Sequence, residues 1–359
     1  MTRRLKSGCR SFRGMGAPPM NRCHGGTNTG GAPVPRWHVG HVKPLLCQTL
    51  RGILLIGFLT RGAFAEPPGP IPAPASAPAS ATHLDIARAI EGGLRYLASV
   101  QHDDGSWSLS DSGSPVGVTG YALTAFLDAG CRPGEGVHGG TVSRAAAFLA
   151  GSQRDEGVFF SAAPGRWPHT MYDHAAATVA LSRVASITRD AALRAKVARG
   201  AKFIVSCQDS SGGWRYKPVA QDPPDLPVSA AQICALCAAR DAGADVPRAT
   251  IENGLAYLRK CRDPETGGFC YTPNGHNPGF ARTAAALCAM EAAGLGNDDE
   301  AVKTGLDFLF QTPGPREREE QGHWFAYGRY YAAHAAHRAG REVWSRWNDR
   351  ARPDVLSKA

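Results

Sequence analysis

The sequence has no run of the ~20 apolar residues that a membrane-spanning helix needs; the apolar stretch Ile53–Leu59 is far shorter. Residues 1–65 contain no acid at all, yet they hold ten of the 40 Lys and Arg residues. The other 30 basic residues face 31 acidic ones, so the formal +9 of the chain belongs to its leading segment. Nucleic-acid binding therefore loses its main support, and no nucleic-acid partner is expected. Also missing are GxSxG, HExxH and a phosphate-cradling P-loop, together with the chemistry each would bring.

The leading segment reads as an export signal. Arg51 precedes ILLIGFL, and Ala63-Phe64-Ala65 supplies the small-x-small cleavage pattern. Secretion, or release into a periplasm after cleavage near Ala65, is the expected fate; an uncleaved anchor is the alternative. Cys47 is preceded by Leu46, which makes a poor lipobox. Residues 66–82 are rich in proline and alanine, cannot continue a helix, and read as an extended linker. A folded domain is expected over 83–350, with a short tail at 351–359. Seven cysteines follow the leader, an odd number that leaves at least one unpaired.

Self-comparison is more informative than composition. Gly93–Trp107 recurs as Phe148-Leu149 with Gln153, Gly157 and Phe159, then as Phe203-Ile204 with Gln208, Gly212 and Trp214. It returns as Tyr257-Leu258 with Arg262, Gly267 and Phe269, and finally as Phe308-Leu309 with Gln311 and Trp324. The anchors Tyr96, Phe148, Phe203, Tyr257 and Phe308 lie 52, 55, 54 and 51 residues apart. In each copy an aromatic–aliphatic pair ends a helix and glycine supplies a left-handed turn. The next Trp or Phe folds back over that helix end.

A second helix rich in small residues follows each turn, predicted over Val118–Ala129, Tyr172–Ile187, Val228–Ala242, Phe280–Ala293 and Tyr327–Ala339. Their Ala, Gly and Cys content allows close approach on several sides and suits an inner layer. The more charged first helices suit an outer one. Five such hairpins stack as an open solenoid or close into a ring. The last repeat is still aromatic rather than a polar cap, which favours closure. The fold class is therefore all-α.

The pattern Tyr96-Leu97-x3-Gln101-x3-Gly105-x-Trp107 and its copies resemble the QW motifs of the prenyltransferase and squalene-oxidase repeat superfamily. That group includes squalene–hopene cyclases, the β-subunits of protein prenyltransferases and many secreted bacterial proteins. Gly212-Gly213-Trp214-Arg215-Tyr216 and Trp344-x2-Trp347-Asn348 most resemble the secreted bacterial branch. The resemblance, over about 85–350, implies an α/α toroid whose inner helices line a central cavity; it does not by itself imply an activity.

The two best-understood catalytic sites of that superfamily are missing from the sequence. The cyclases' DxDD acid is absent, and the nearest cluster is Asp222-Pro223-Pro224-Asp225. Asp225 is a candidate acid, but it reads better as the N-cap of a helix with Pro227 in its first turn. The prenyltransferase zinc site is not carried over either: its Asp-x-Cys falls on Asp225-Leu226-Pro227 and its His near Phe280. Cys234-x2-Cys237 reads as buried thiols, and His334 with His337 supplies too few ligands, so no metal or other cofactor is expected.

Cavity candidates remain. Tyr172, Asp173 and His174 begin a helix that is otherwise alanine-rich, and Asp173 with His174 is the candidate acid/base pair. The competing reading makes Asp173 a cap and His174 a structural bond to a neighbouring turn. Arg282, Tyr330 and His334 are further candidates for the cavity, while Gln101, Gln153, Gln208 and Gln311 read as clamps between repeats. These features point to an exported toroid that holds a small molecule, isoprenoid or glycan, or an envelope protein partner. The alternatives are a terpenoid cyclase/prenyltransferase-like or glycan-acting enzyme using Asp173 and His174, and a purely structural envelope protein.

Overall fold

The computed structural model describes residues 81–108, 115–160, 170–220, 223–311 and 325–356, all within a single compact unit. The export signal, Cys47, nearly all of the linker, Asp222 and Trp324 lie outside the described residues. Among the described residues there are eleven helices and no strand, only isolated bridges. No helix there is long and apolar enough to cross a membrane.

The helices alternate between two layers. Outer helices are α1 (Ala81–Ser99), α3 (Gly139–Gly151), α5 (Ala191–Ser206), α7 (Arg248–Lys260), α9 (Glu300–Gln311) and α11 (Arg341–Leu356). Inner helices are α2 (Pro115–Asp128), α4 (Thr170–Thr188), α6 (Leu226–Asp241), α8 (Phe280–Ala292) and α10 (Phe325–Arg338). The small-residue helices of the sequence pattern are thus the inner layer. The last helix runs on to Leu356 with Pro353 inside it, beyond the expected boundary at 350.

Burial separates the layers. Thirteen of the sixteen residues of α6 are buried, against four of the sixteen in α5, whose apolar residues form a single stripe. Consecutive inner helices pack side by side from α2 round to α10. A Cβ on Gly120 would stand 2.7 Å from the Ala176 carbonyl carbon, so α2 and α4 approach almost backbone to backbone. The ring closes twice: α11 returns to α1, and the ring of Tyr330 on α10 meets Tyr121 on α2 edge-on at 5.8 Å.

Each turn is locked to the next repeat. Gly105, Gly157, Gly212 and Gly267 adopt φ of 88°, 99°, 98° and 76°, which favours glycine. A Cβ at any of them would also strike the Arg144, Arg199, Asn253 or Thr304 carbonyl of the following outer helix. The Gln101, Gln153 and Gln208 amides donate both to the carbonyl of their own turn glycine and to that of Thr141, Lys196 or Thr250 in the next repeat. In the fourth copy Arg262 reaches Thr304 instead.

Candidate functional site

One polar position recurs at the start of the inner helices. Thr119, His174, Ser229 and Thr283 lie 55, 55 and 54 residues apart. Each accepts a hydrogen bond from the backbone N–H of its repeat's folded-back aromatic: Trp107, Phe159, Trp214 and Phe269 respectively, at 2.9–3.0 Å. His174 is therefore the histidine version of a structural hydroxyl. Its Nδ1 accepts from Phe159, its Nε2 donates to the Gly200 carbonyl at 3.1 Å, and its ring lies between Phe159 and Phe203. Burial pushes its pKa down to about 4. With both nitrogens engaged and no exposed surface, it has no free position for proton transfer to a ligand.

The neighbours of His174 go elsewhere. The Asp173 carboxylate lies where a side chain on Gly117 would stand, against the start of α2. The Tyr172 ring packs on Tyr216 at 5.8 Å, and burial raises its phenol pKa. Asp173 and His174 thus face different partners and do not form an acid/base pair.

Asp225 is the N-cap of α6, accepting from the Val228 N–H at 2.9 Å. Its other oxygen accepts from Arg215 at 2.7 Å and from the Tyr271 hydroxyl at 3.1 Å, and Tyr271 in turn meets the Tyr216 hydroxyl at 2.7 Å. Burial pushes this carboxyl up, while the Val228 N–H and Arg215 pull it down. Three donors converge on a fully buried group, as expected for a latch that joins two turns. Arg282 folds back onto the Asn277 carbonyl and lies against Gly279.

The cavity lies within the inner ring and is built in tiers. Thr124, Val179, Cys234, Cys288 and His334, one from each inner helix, recur at intervals of 55, 55, 54 and 46 residues. All five line one space that opens to solvent at its mouth. Towards the helix N-termini it is floored by Tyr121, Tyr330 and Tyr331, with Tyr121 and Tyr331 hydrogen-bonded. Asp241, exposed, and Arg338 stand at the other end. Of the sequence candidates, Tyr330 and His334 line this space, whereas Tyr172, Asp173, His174, Asp225 and Arg282 do not.

The polar groups around the cavity are few. Burial pushes the His334 imidazole down to about 4, which leaves it neutral near pH 7, and pushes the Glu291 carboxyl well up. Asp128 is paired with Arg183 at 2.6 Å. The Cys234 and Cys288 thiols hydrogen-bond each other, and all seven cysteines of the domain are free. Among the described residues no three His, Cys, Asp or Glu side chains are grouped to hold a metal ion. His337 leaves the cavity to pack edge-on against Trp344. Sequence reasoning missed Asp128 and Arg183, although their spacing of 55 residues puts them at one repeat position.

Solved structures with a similar backbone include the ent-copalyl diphosphate synthase of Streptomyces platensis, at 16% identity and a TM-score of 0.55. That match covers 82% of this chain but 51% of the synthase, so the chain spans about half of that protein's length. Cellobiose 2-epimerase from Bacillus thermoamylovorans gives 12% identity, 80% and 86% coverage and a TM-score of 0.55. A type II terpene cyclase from Scytonema, in complex with merosterolic acid A, gives 14%, 85% and 87%, and 0.50. No family model matches the sequence, and no curated protein matches it. At such identities the likeness is one of fold: the chain is an α/α toroid.

Proposed function

We propose that this α/α toroid is an exported binding protein that holds a small, largely apolar molecule in its central cavity. The cavity carries this reading, because all five inner helices contribute to one space walled by Ala, Val and Cys and floored by tyrosines. That is the general form of small-molecule sites, in which apolar walls supply affinity and a few polar groups set orientation. The basic leader and its small-x-small site support export. Catalysis at Asp173 and His174 is not part of the proposal, since the histidine is closed off and the carboxylate faces Gly117.

Native mass spectrometry of the purified protein tests the idea. A retained molecule of small mass is expected, and Val179→Phe, which places a ring in the cavity, should abolish retention while leaving the thermal midpoint within a few degrees. Retention unaffected by Val179→Phe would move the ligand out of the cavity and defeat the proposal.

A further inference from the structure

The wall of the cavity holds a pair of thiols in contact that the binding reading does not use. The tier that carries Thr124, Val179, Cys234, Cys288 and His334 sets like positions of neighbouring inner helices side by side. Helices α6 and α8 pack against each other, and only they place a thiol at that level. The Cys234 and Cys288 thiols meet there and share a hydrogen bond. Both line a space that opens to solvent; Cys234 is half-buried and Cys288 is 8% exposed.

The other thiols of the domain are placed differently. Cys131, Cys207, Cys261 and Cys270 do not line the cavity. Cys237 does, one turn along α6 from Cys234, but burial pushes its thiol up to about 11. Burial also raises Cys131, Cys207 and Cys270, and takes Cys261 up to about 12. Cys288 alone is held below the ordinary thiol range, first because the Cys234 S–H donates to it and then because the Arg338 guanidinium stands near. The thiolate is the form that oxidants attack, and a second sulfur in contact with it closes the product.

We infer that Cys288 and Cys234 form a redox site in the cavity wall, oxidised by hydrogen peroxide or a similarly small hydroperoxide to a disulfide that joins α8 to α6. Hydrogen peroxide is little larger than water, so the open mouth admits it. The Cys288 thiolate attacks one peroxide oxygen, and the O–O bond breaks. The departing hydroxide takes up the proton that Cys288 gave up and leaves as water, while Cys288 becomes a sulfenic acid. The Cys234 sulfur then attacks the Cys288 sulfur, the S–O bond breaks, and the oxygen leaves with the Cys234 proton as a second water. The two sulfurs lose two electrons in all, and the peroxide gains them. The site stands independently of any ligand in the cavity and of export.

Treatment of the folded full-length protein with hydrogen peroxide, followed by alkylation of the remaining thiols, digestion and mass spectrometry, tests the site. A peptide joining Cys234 to Cys288, lighter by two hydrogens than its two parts, should form at least about tenfold faster than any other cysteine of the domain is lost. Dithiothreitol should restore both thiols, and the helical circular dichroism should stay unchanged throughout. In Cys234→Ser no closing sulfur remains, and dimedone should capture the sulfenic acid on Cys288. Cys234 and Cys288 both alkylated after treatment overturns the proposal. So does a linked peptide that joins other cysteines, or one that appears only as the helical signal is lost. Absence of the adduct in a folded Cys234→Ser protein overturns Cys288 as the first nucleophile. Should Cys234→Ser fail to fold, the wild-type peptide map decides.

Discussion

The first and third repeats end their turns with tryptophan, the second and fourth with phenylalanine, and they solve the same problem with different atoms. In the tryptophan repeats the indole Nε1 donates to the carbonyl of Leu97 or Ile204 at 2.8 Å, while a hydroxyl, Thr119 or Ser229, accepts the aromatic's backbone N–H. Phenylalanine has no indole N–H. The second repeat recovers a donor by replacing the hydroxyl with His174, whose Nε2 reaches Gly200, and the fourth keeps the hydroxyl of Thr283. What the repeats share is a bonded turn rather than a fixed residue, and a histidine there is a sign of substitution rather than of catalysis.

This contrast can be tested from its strongest element down. Trp214→Ala removes a fully buried ring and its bond to Ile204, and should cost about 3–5 kcal/mol in denaturant unfolding. A loss below about 1 kcal/mol would show that the turns close without their aromatic. Next comes His174→Thr, which converts the second repeat to the pattern of the first. It keeps an acceptor for Phe159 and removes the bond from the imidazole to the Gly200 carbonyl, for an expected loss of about 1–3 kcal/mol.

That substitution also carries a pH signature. The folded pKa of His174 is about 4, below the ordinary 6.5, so the folded state binds fewer protons than the unfolded one. Its contribution is full above pH 6.5 and is lost as pH falls towards 4. Stability of the wild type should therefore drop across that window, and His174→Thr should flatten the slope without abolishing it, because His334 titrates in the same sense. An unchanged slope would mean that His174 is not held neutral by burial. The smallest effects concern the clamps. Gln208→Ala should cost about 1 kcal/mol, and Arg262→Gln, which gives the fourth repeat the clamp of the others, should lie within about 0.5 kcal/mol of wild type.

The layers, the boundaries of the inner helices to within three residues and the clamp role of three glutamines are legible in the sequence, because each rests on local period and turn chemistry. The site was less so. Tyr330 and His334 were placed in the cavity, but Tyr172, Asp173 and Arg282 were assigned to it only because they begin inner helices, and a helix start points towards a turn as readily as into a ring. Asp225 was better described as a cap than as an acid, which fits its bond to Val228. The signal that separates them is the 55-residue interval, which holds for the inner helices as well as for the outer ones. It aligns His174 with Thr119 and Ser229, and Val179 with Thr124 and Cys234, while His334 follows Cys288 by the shorter step of 46 residues.

The glutamine clamps have a consequence for how the chain comes to be folded. The Gln101 amide finds its second acceptor at Thr141, 40 residues later, and Gln153 and Gln208 reach 43 and 42 residues ahead. A hairpin newly made by the ribosome is thus incomplete until its successor arrives, and the bond always runs forward along the chain. The meetings of α11 with α1 and of α10 with α2 run the other way, joining the last-made helices to the first described ones. Assembly in order of synthesis, with one long-range closure at the end, follows from that asymmetry.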